Sequence, residues 1–169
     1  MNEERLEEVM RLYTQDLLRI SYYYTKSLQT AQDVVQEVFI RYYQMQLELK
    51  DEELKYYLIR MVRNKSKDYL KSWHYRKTKL VDKFFSKTTG NSDLLIKQEE
   101  EQEISKAIFS LPINQREAIT YYYFEGYTTK GLAELLQVPE GTIKSRLQKG
   151  RSLLKEQLKS VEWEALLHD

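Results

Sequence analysis

"VPEGTIKSRLQKGRSLLK", residues 138–155, places Lys144, Arg146, Lys149, Arg151 and Lys155 among apolar residues that recur at helical intervals. On a wheel turning about 100° per residue, Ile143, Leu147, Gly150, Leu154 and Leu158 share a sector of about 80°. Ser145, Gln148, Lys149, Ser152 and Lys155 fall on the other side. One face is therefore expected to pack, and the other is left for solvent or a ligand. A solvated basic face on a structural helix is the bland reading, and charged faces are common.

The preceding residues weaken that reading. "TTKGLAELLQ", 128–137, predicts a short helix capped by Thr128 or Thr129, and Val138 and Pro139 then lead into a helix reaching Leu158. Two short helices joined by a tight turn, the second polar in its N-terminal half, form the helix-turn-helix pattern. Such a second helix offers base edges to Ser145, Gln148 and Lys149. It offers phosphates to Lys144, Arg146, Arg151 and the backbone amides near Thr142.

Further upstream the chain reads as helix throughout. The 169 residues hold five Gly, two Pro and no Cys, and 31% are charged. Scarce turn residues and no sustained alternation predict an all-α fold without a sheet. Without Cys there is neither a disulfide framework nor a thiolate metal site, so a reducing cytoplasm is the expected setting. The acidic start "MNEERLEEVM" lacks the pattern of a secretory signal, and no run of eighteen apolar residues predicts a membrane span.

Leu6, Val9, Met10, Tyr13, Leu17, Ile20 and Tyr24 mark a first helix over about 3–26. Thr30 is placed to cap a second, whose inner side is Val34, Val35, Val38, Phe39 and Tyr42. Asp51, Glu52 and Glu53 open a third, with Leu54, Leu58, Met61, Val62 and Tyr69 as its inner stripe. These three are expected to share one core over 1–74. Residues 75–93 lose periodicity and read as a linker. A second helical unit, 94–160, begins with a helix carrying Leu94, Leu95, Ile104 and Ile108. Asn114 and Glu117 then show capping-box spacing before "AITYYYF", and Gly126 suits a helix stop. Tyr22–Tyr24 and Tyr121–Tyr123 read as packing. Residues 161–169 form an acidic tail.

A net charge of +1 conceals strong segregation. Residues 1–53 carry 6 basic and 11 acidic groups, whereas 54–91 carry 11 and 2. Screening confines such fields to about 8 Å at physiological salt, so local charge matters more than the total. In 54–79 the basic residues alternate with Tyr56, Tyr57, Tyr69, Trp73 and His74. Stacking surfaces beside phosphate-neutralising cations are the ingredients of single-strand nucleic-acid binding.

In these stretches the chain resembles the extracytoplasmic-function (ECF) sigma factors of bacterial RNA polymerase. "SLPINQREAITYYYFEGYTTKGLAELLQVPEGTIKSRLQKGRSLL" is similar to their C-terminal region 4, and "DVVQEVFIRYY" with "YLIRMVRNKSKDYLKS" to their N-terminal region 2. The resemblance covers nearly all of the chain outside the linker and tail. It departs at Gly131, where an acidic residue is usual, at Gln137, where the turn usually has Gly, and at the short acidic segment 46–53.

The resemblance implies a specificity subunit with three surfaces. Asp33, Gln36, Glu37 and Phe39 would grip the clamp helices of the polymerase largest subunit. Arg60, Arg63, Asn64, Lys67, Lys71 and Trp73 would bind the minus-ten promoter element. Thr142, Lys144, Ser145, Arg146, Gln148, Lys149 and Arg151 would read the minus-35 element. It also implies an anti-sigma partner. No cofactor or metal is expected.

Two rival readings stand beside it. An ordinary helix-turn-helix regulator, dimerising through its N-terminal helices, would bind a palindromic duplex without polymerase. An enzyme finds little support: only His74 and His168 are available, with no phosphate-cradling Gly loop.

Overall fold

A computed structural model describes residues 1–77 and 99–158, with side chains described for 1–72 and 103–158. The described residues form seven helices and no strand, in two compact units, Met1–Ser92 and Asp93–Asp169. The expected linker lies outside the described residues from 78 onward, as do Leu94, Leu95 and the acidic tail. No described helix is long and apolar enough to cross a membrane.

The first unit contains α1 (Glu3–Thr25), α2 (Leu28–Met45) and α3 (Asp51–Lys77), each packed against the other two. Asn2 caps α1 by accepting from the Arg5 amide at 2.9 Å, and Lys26 stops it in the left-handed conformation. The cap of α2 is Ser27 rather than Thr30: the Ser27 hydroxyl accepts from the Thr30 amide at 3.2 Å. Helix α2 thus starts earlier than the Thr30 signal implied, because Ser27 takes the extended backbone that a cap requires. Helix α3 runs on to Lys77, past the expected unit end at 74.

The core of this unit follows the α2 stripe throughout and the α1 and α3 stripes in part, Leu6 and Tyr13 of α1 being half-buried. Val34, Val35, Val38, Phe39 and Tyr42 are all buried, whereas Met10, at the edge of the α1 stripe, is 40% exposed. On α3, Ile59 and Ser66 are buried alongside Leu54, Leu58 and Val62, while Met61 and Tyr69 are only half-buried. Helix α3 meets both α1 and α2, so its buried arc is wider than a single stripe and centres away from Met61. Ser21 of α1 and Ser66 of α3 hydrogen-bond at 2.9 Å inside this apolar core. Arg5 joins the ends of α1 and α3 through Asp51 at 2.8 Å and also contacts Glu8 at 2.7 Å. These two carboxylates raise the Arg5 guanidinium pKa further above its ordinary value.

The second unit contains α4 (Glu99–Ser110), α5 (Ile113–Tyr123), α6 (Thr129–Leu136) and α7 (Glu140–Gln157). Helix α7 is the hub, packing on α5, α6 and α4. The expected capping box at Asn114 and Glu117 does not form. Pro112 occupies the cap position without a side-chain bond, and Glu117 is buried in the helix-packing interface. The α4–α5 turn is held instead by Arg116, which donates to the carbonyls of Phe109 at 2.8 Å and Leu111 at 3.1 Å. Gly126 takes a positive φ of 73° after α5, as a chain reversal there requires.

Candidate nucleic-acid interface

Helices α6 and α7 form the helix-turn-helix, and local chemistry fixes each joint. Thr128 caps α6, its hydroxyl accepting from the Gly131 amide at 2.9 Å. A Cβ at 131 would lie 3.2 Å from that hydroxyl, so Gly keeps the cap uncrowded. Gln137 ends α6 in the left-handed region at φ 55°, ψ 49°, the conformation a Gly would adopt more cheaply. Pro139 opens α7, its carbonyl accepting from Thr142 at 3.0 Å and Ile143 at 3.3 Å. Across the turn, the Thr129 hydroxyl donates to Glu140 Oε1 at 2.8 Å.

The two faces of α7 separate as the wheel suggests. Ile143, Leu147, Gly150 and Leu154 are buried, with Leu158 at the helix end. Ser145, Gln148, Lys149, Ser152 and Lys155 are exposed. Lys144 is exposed and sits 3.8 Å from Glu140 Oε1, while Thr142 and Arg146 are half-buried at the flanks.

Arg151 differs from the other cations expected to meet phosphate. Its Nε donates to the Tyr123 hydroxyl at 2.6 Å, and its guanidinium lies over the Tyr122 and Tyr123 rings at 5.9 and 5.7 Å. Those rings pack edge to face at 4.9 Å. Arg151 is therefore an internal strut between α7 and α5, a role hidden in the sequence because Tyr123 lies 28 residues away. Tyr121 is fully buried, as packing demands, and Tyr122 and Tyr123 are half-buried around this strut.

In the first unit, α3 turns its basic strip away from the core. Arg60, Asn64, Lys67 and Lys71 fall within about 60° of one another and roughly opposite the buried residues Leu58 and Val62, with Arg63 at the edge. Asn64 and Lys71 are exposed; Arg60, Arg63 and Lys67 are half-buried. Arg63 Nη1 lies 3.4 Å from Asn64 Oδ1. Trp73 belongs to α3, but its side chain lies outside the described residues.

The residues expected to meet polymerase divide between surface and core. Asp33, Gln36 and Glu37 are exposed on α2, whereas Phe39 is 4% exposed and packs inside, so its side chain is not presented to a partner. Ile40, 51% exposed, presents the apolar surface instead. The signal was available: Ile40 falls off the apolar stripe of α2. A groove of about 650 Å³ lies between α2 and α3, lined in part by Glu37, Ile40, Arg41, Tyr57, Met61 and Lys65. Lys65 of α3 contacts Glu37 Oε2 across it at 2.6 Å. The structure thus brings polar, charged and apolar groups together on one α2–α3 face.

Comparison with known proteins matches both halves. Residues 9–75 fit the family model described as Sigma-70 region 2, and residues 101–154 the one described as Sigma-70, region 4. Among curated relatives, the ECF RNA polymerase sigma factor SigM of Bacillus subtilis (strain 168) is 28% identical, over 89% of this chain and 93% of its own. SigW from the same organism is 23% identical over 95% of this chain and 92% of its own. Among solved structures, the sigma factor RpoE of Bartonella quintana, crystallised with the anti-sigma factor NepR, shares the fold. Its TM-score is 0.69 at 24% identity, covering 94% of this chain and 99% of that one. CnrH, solved with the cytosolic domain of CnrY, superposes with a TM-score of 0.66 at 15% identity, over 95% of this chain and 92% of that one. With both regions matched in order and relatives aligned along nearly its full length, the chain belongs to the sigma-70 family as an ECF RNA polymerase sigma factor.

Proposed function

We propose that the first unit docks on core RNA polymerase and holds the opened minus-ten element, while the second unit reads the minus-35 element as duplex. Asp33, Gln36 and Glu37, joined by Ile40, would meet the clamp helices of the largest subunit. Arg60, Arg63, Asn64, Lys67 and Lys71, with Trp73, would track the non-template strand, binding phosphates and stacking on unpaired bases. Ser145, Gln148 and Lys149 would read base edges, with Lys144, Arg146 and the amides near Thr142 on phosphates. Arg151 contributes by fixing α7 on α5.

One observation carries this reading: each unit turns a basic polar strip to solvent on the side of a helix opposite its buried stripe. Two tethered weak contacts reinforce each other, because the second becomes intramolecular once the first has formed. Neither unit therefore needs high affinity alone. The reading assigns no catalysis to the chain and places it in the cytoplasm with the polymerase and DNA. RpoE and CnrH were each solved with a protein partner, which supports an anti-sigma partner here as well.

Transcription in vitro with core polymerase over a promoter library tests it. Initiation at a defined two-element promoter, dependent on this chain, is the expected result. Sequence-specific binding to a palindromic duplex without polymerase, and no initiation with it, would overturn the reading.

A further inference from the structure

We infer that Glu140 is a specificity-determining residue, a carboxylate held ready to accept a hydrogen bond from the exocyclic amino group of a cytosine in the minus-35 duplex. The inference rests on the reading of α7 as the helix that enters the major groove. Glu140 is the first residue of that helix, and its side chain is 44% exposed. Recognition helices present their N-terminal residues to base edges.

The carboxylate is fixed before any ligand arrives. Thr129, the first residue of α6, donates to Oε1 at 2.8 Å, and Lys144 Nζ lies 3.8 Å from the same oxygen. The other oxygen, Oε2, takes neither contact. Fixing the side chain from a neighbouring helix lowers the rotamer entropy that a new hydrogen bond would otherwise cost.

Chemistry then narrows the target. Oε1 already has Thr129 and Lys144; Oε2 would be repelled by phosphate oxygens, and the groups that suit it on a DNA-facing surface are donors. In the major groove the donors are the amino groups of cytosine and adenine. Adenine sets its N7 acceptor beside the amino group, and the N7 lone pair repels a carboxylate oxygen aimed there. Cytosine offers the amino group without that neighbour. A purely structural carboxylate, favouring the helix N-terminus through the dipole, would confer no base preference.

The test is transcription in vitro by the complete complex of core polymerase and full-length chain, over templates randomised across the upstream element. Wild type is expected to favour cytosine at one position. Glu140→Gln keeps an oxygen for Thr129 but puts an amide donor where Oε2 stood, so it should lower the cytosine preference at that position. Glu140→Ala should lower the cytosine preference there by at least about fivefold, with other positions unchanged. Thr129→Val should weaken the same preference and Thr129→Ser restore it, which general loss of folding would not do; circular dichroism checks that each variant is folded. An unchanged preference in both Glu140 variants, or an equal change in use of all templates, overturns the inference while leaving the promoter-reading function standing. Failure of the wild-type chain to direct any initiation removes the reading beneath it as well.

Discussion

Gly150 of α7 lies so close to Ile119 of α5 that a Cβ on residue 150 would sit 2.8 Å from Ile119 Cγ1 and 3.1 Å from its Cδ1. Ile119 is 2% exposed and β-branched, so it has little room to yield. Gly150→Ala gains about 1 kcal/mol of helix propensity but overpacks the core by about 1–3 kcal/mol. The expected net result is destabilisation of about 1 kcal/mol. In an Ile119→Ala background the same change should stabilise, because the methyl group fills space. Denaturant unfolding of the four proteins measures the coupling; additive effects would contradict the contact.

Gln137 occupies the left-handed region at the end of α6. A non-glycine residue there costs about 1 kcal/mol or more. Gln137→Gly should therefore raise stability by roughly 1 kcal/mol, visible as a higher thermal midpoint, while Gln137→Val should lower it. If Gly is destabilising, the turn is not the one described.

The Ser21–Ser66 pair is buried to 0% exposure on both sides. Ser21→Ala leaves the Ser66 hydroxyl in an apolar core, at a cost of about 1–3 kcal/mol. The double change to Ala removes both polar groups and should be less damaging than either single change. Urea midpoints of the three variants decide this, and a double variant that is the weakest of all would refute it.

Lys149 and Arg151 should separate binding from stability. Lys149 is exposed, so Lys149→Ala should reduce use of the cognate promoter by about 1–3 kcal/mol of base discrimination with no change in melting temperature. Arg151→Ala removes the bond to Tyr123 and the ring contacts, so it should lower both promoter use and thermal stability. Identical melting temperatures for the two variants would remove the strut from α7.

Glu37 and Lys65 supply a further test. Glu37→Lys places two cations where a 2.6 Å ion pair now stands. Both groups are about half exposed, so folding should survive with a change below about 1 kcal/mol. Co-purification with core polymerase should be lost. Retained co-purification would move the docking surface away from this part of α2.

Sequence alone settled the helices, because burial of an amphipathic stripe imprints a 3.6-residue period on the chain. The stripe of α7 from Ile143 to Leu158, that of α2 from Val34 to Tyr42, and the αL-compatible Gly126 were all readable in this way. So was the order of the two family regions, which is carried by local residue patterns. Tertiary structure alone decided which charges are free and which are committed. Arg151 goes to Tyr123, Lys65 to Glu37 and Arg5 to Asp51, each pairing set by how helices distant in sequence cross and which rotamers they allow. The same holds for Phe39 turning inward while Ile40 faces out, and for Ser66 meeting Ser21. A single helix has a period but no knowledge of its neighbours, and packing against a second and third helix decides the width of its buried arc.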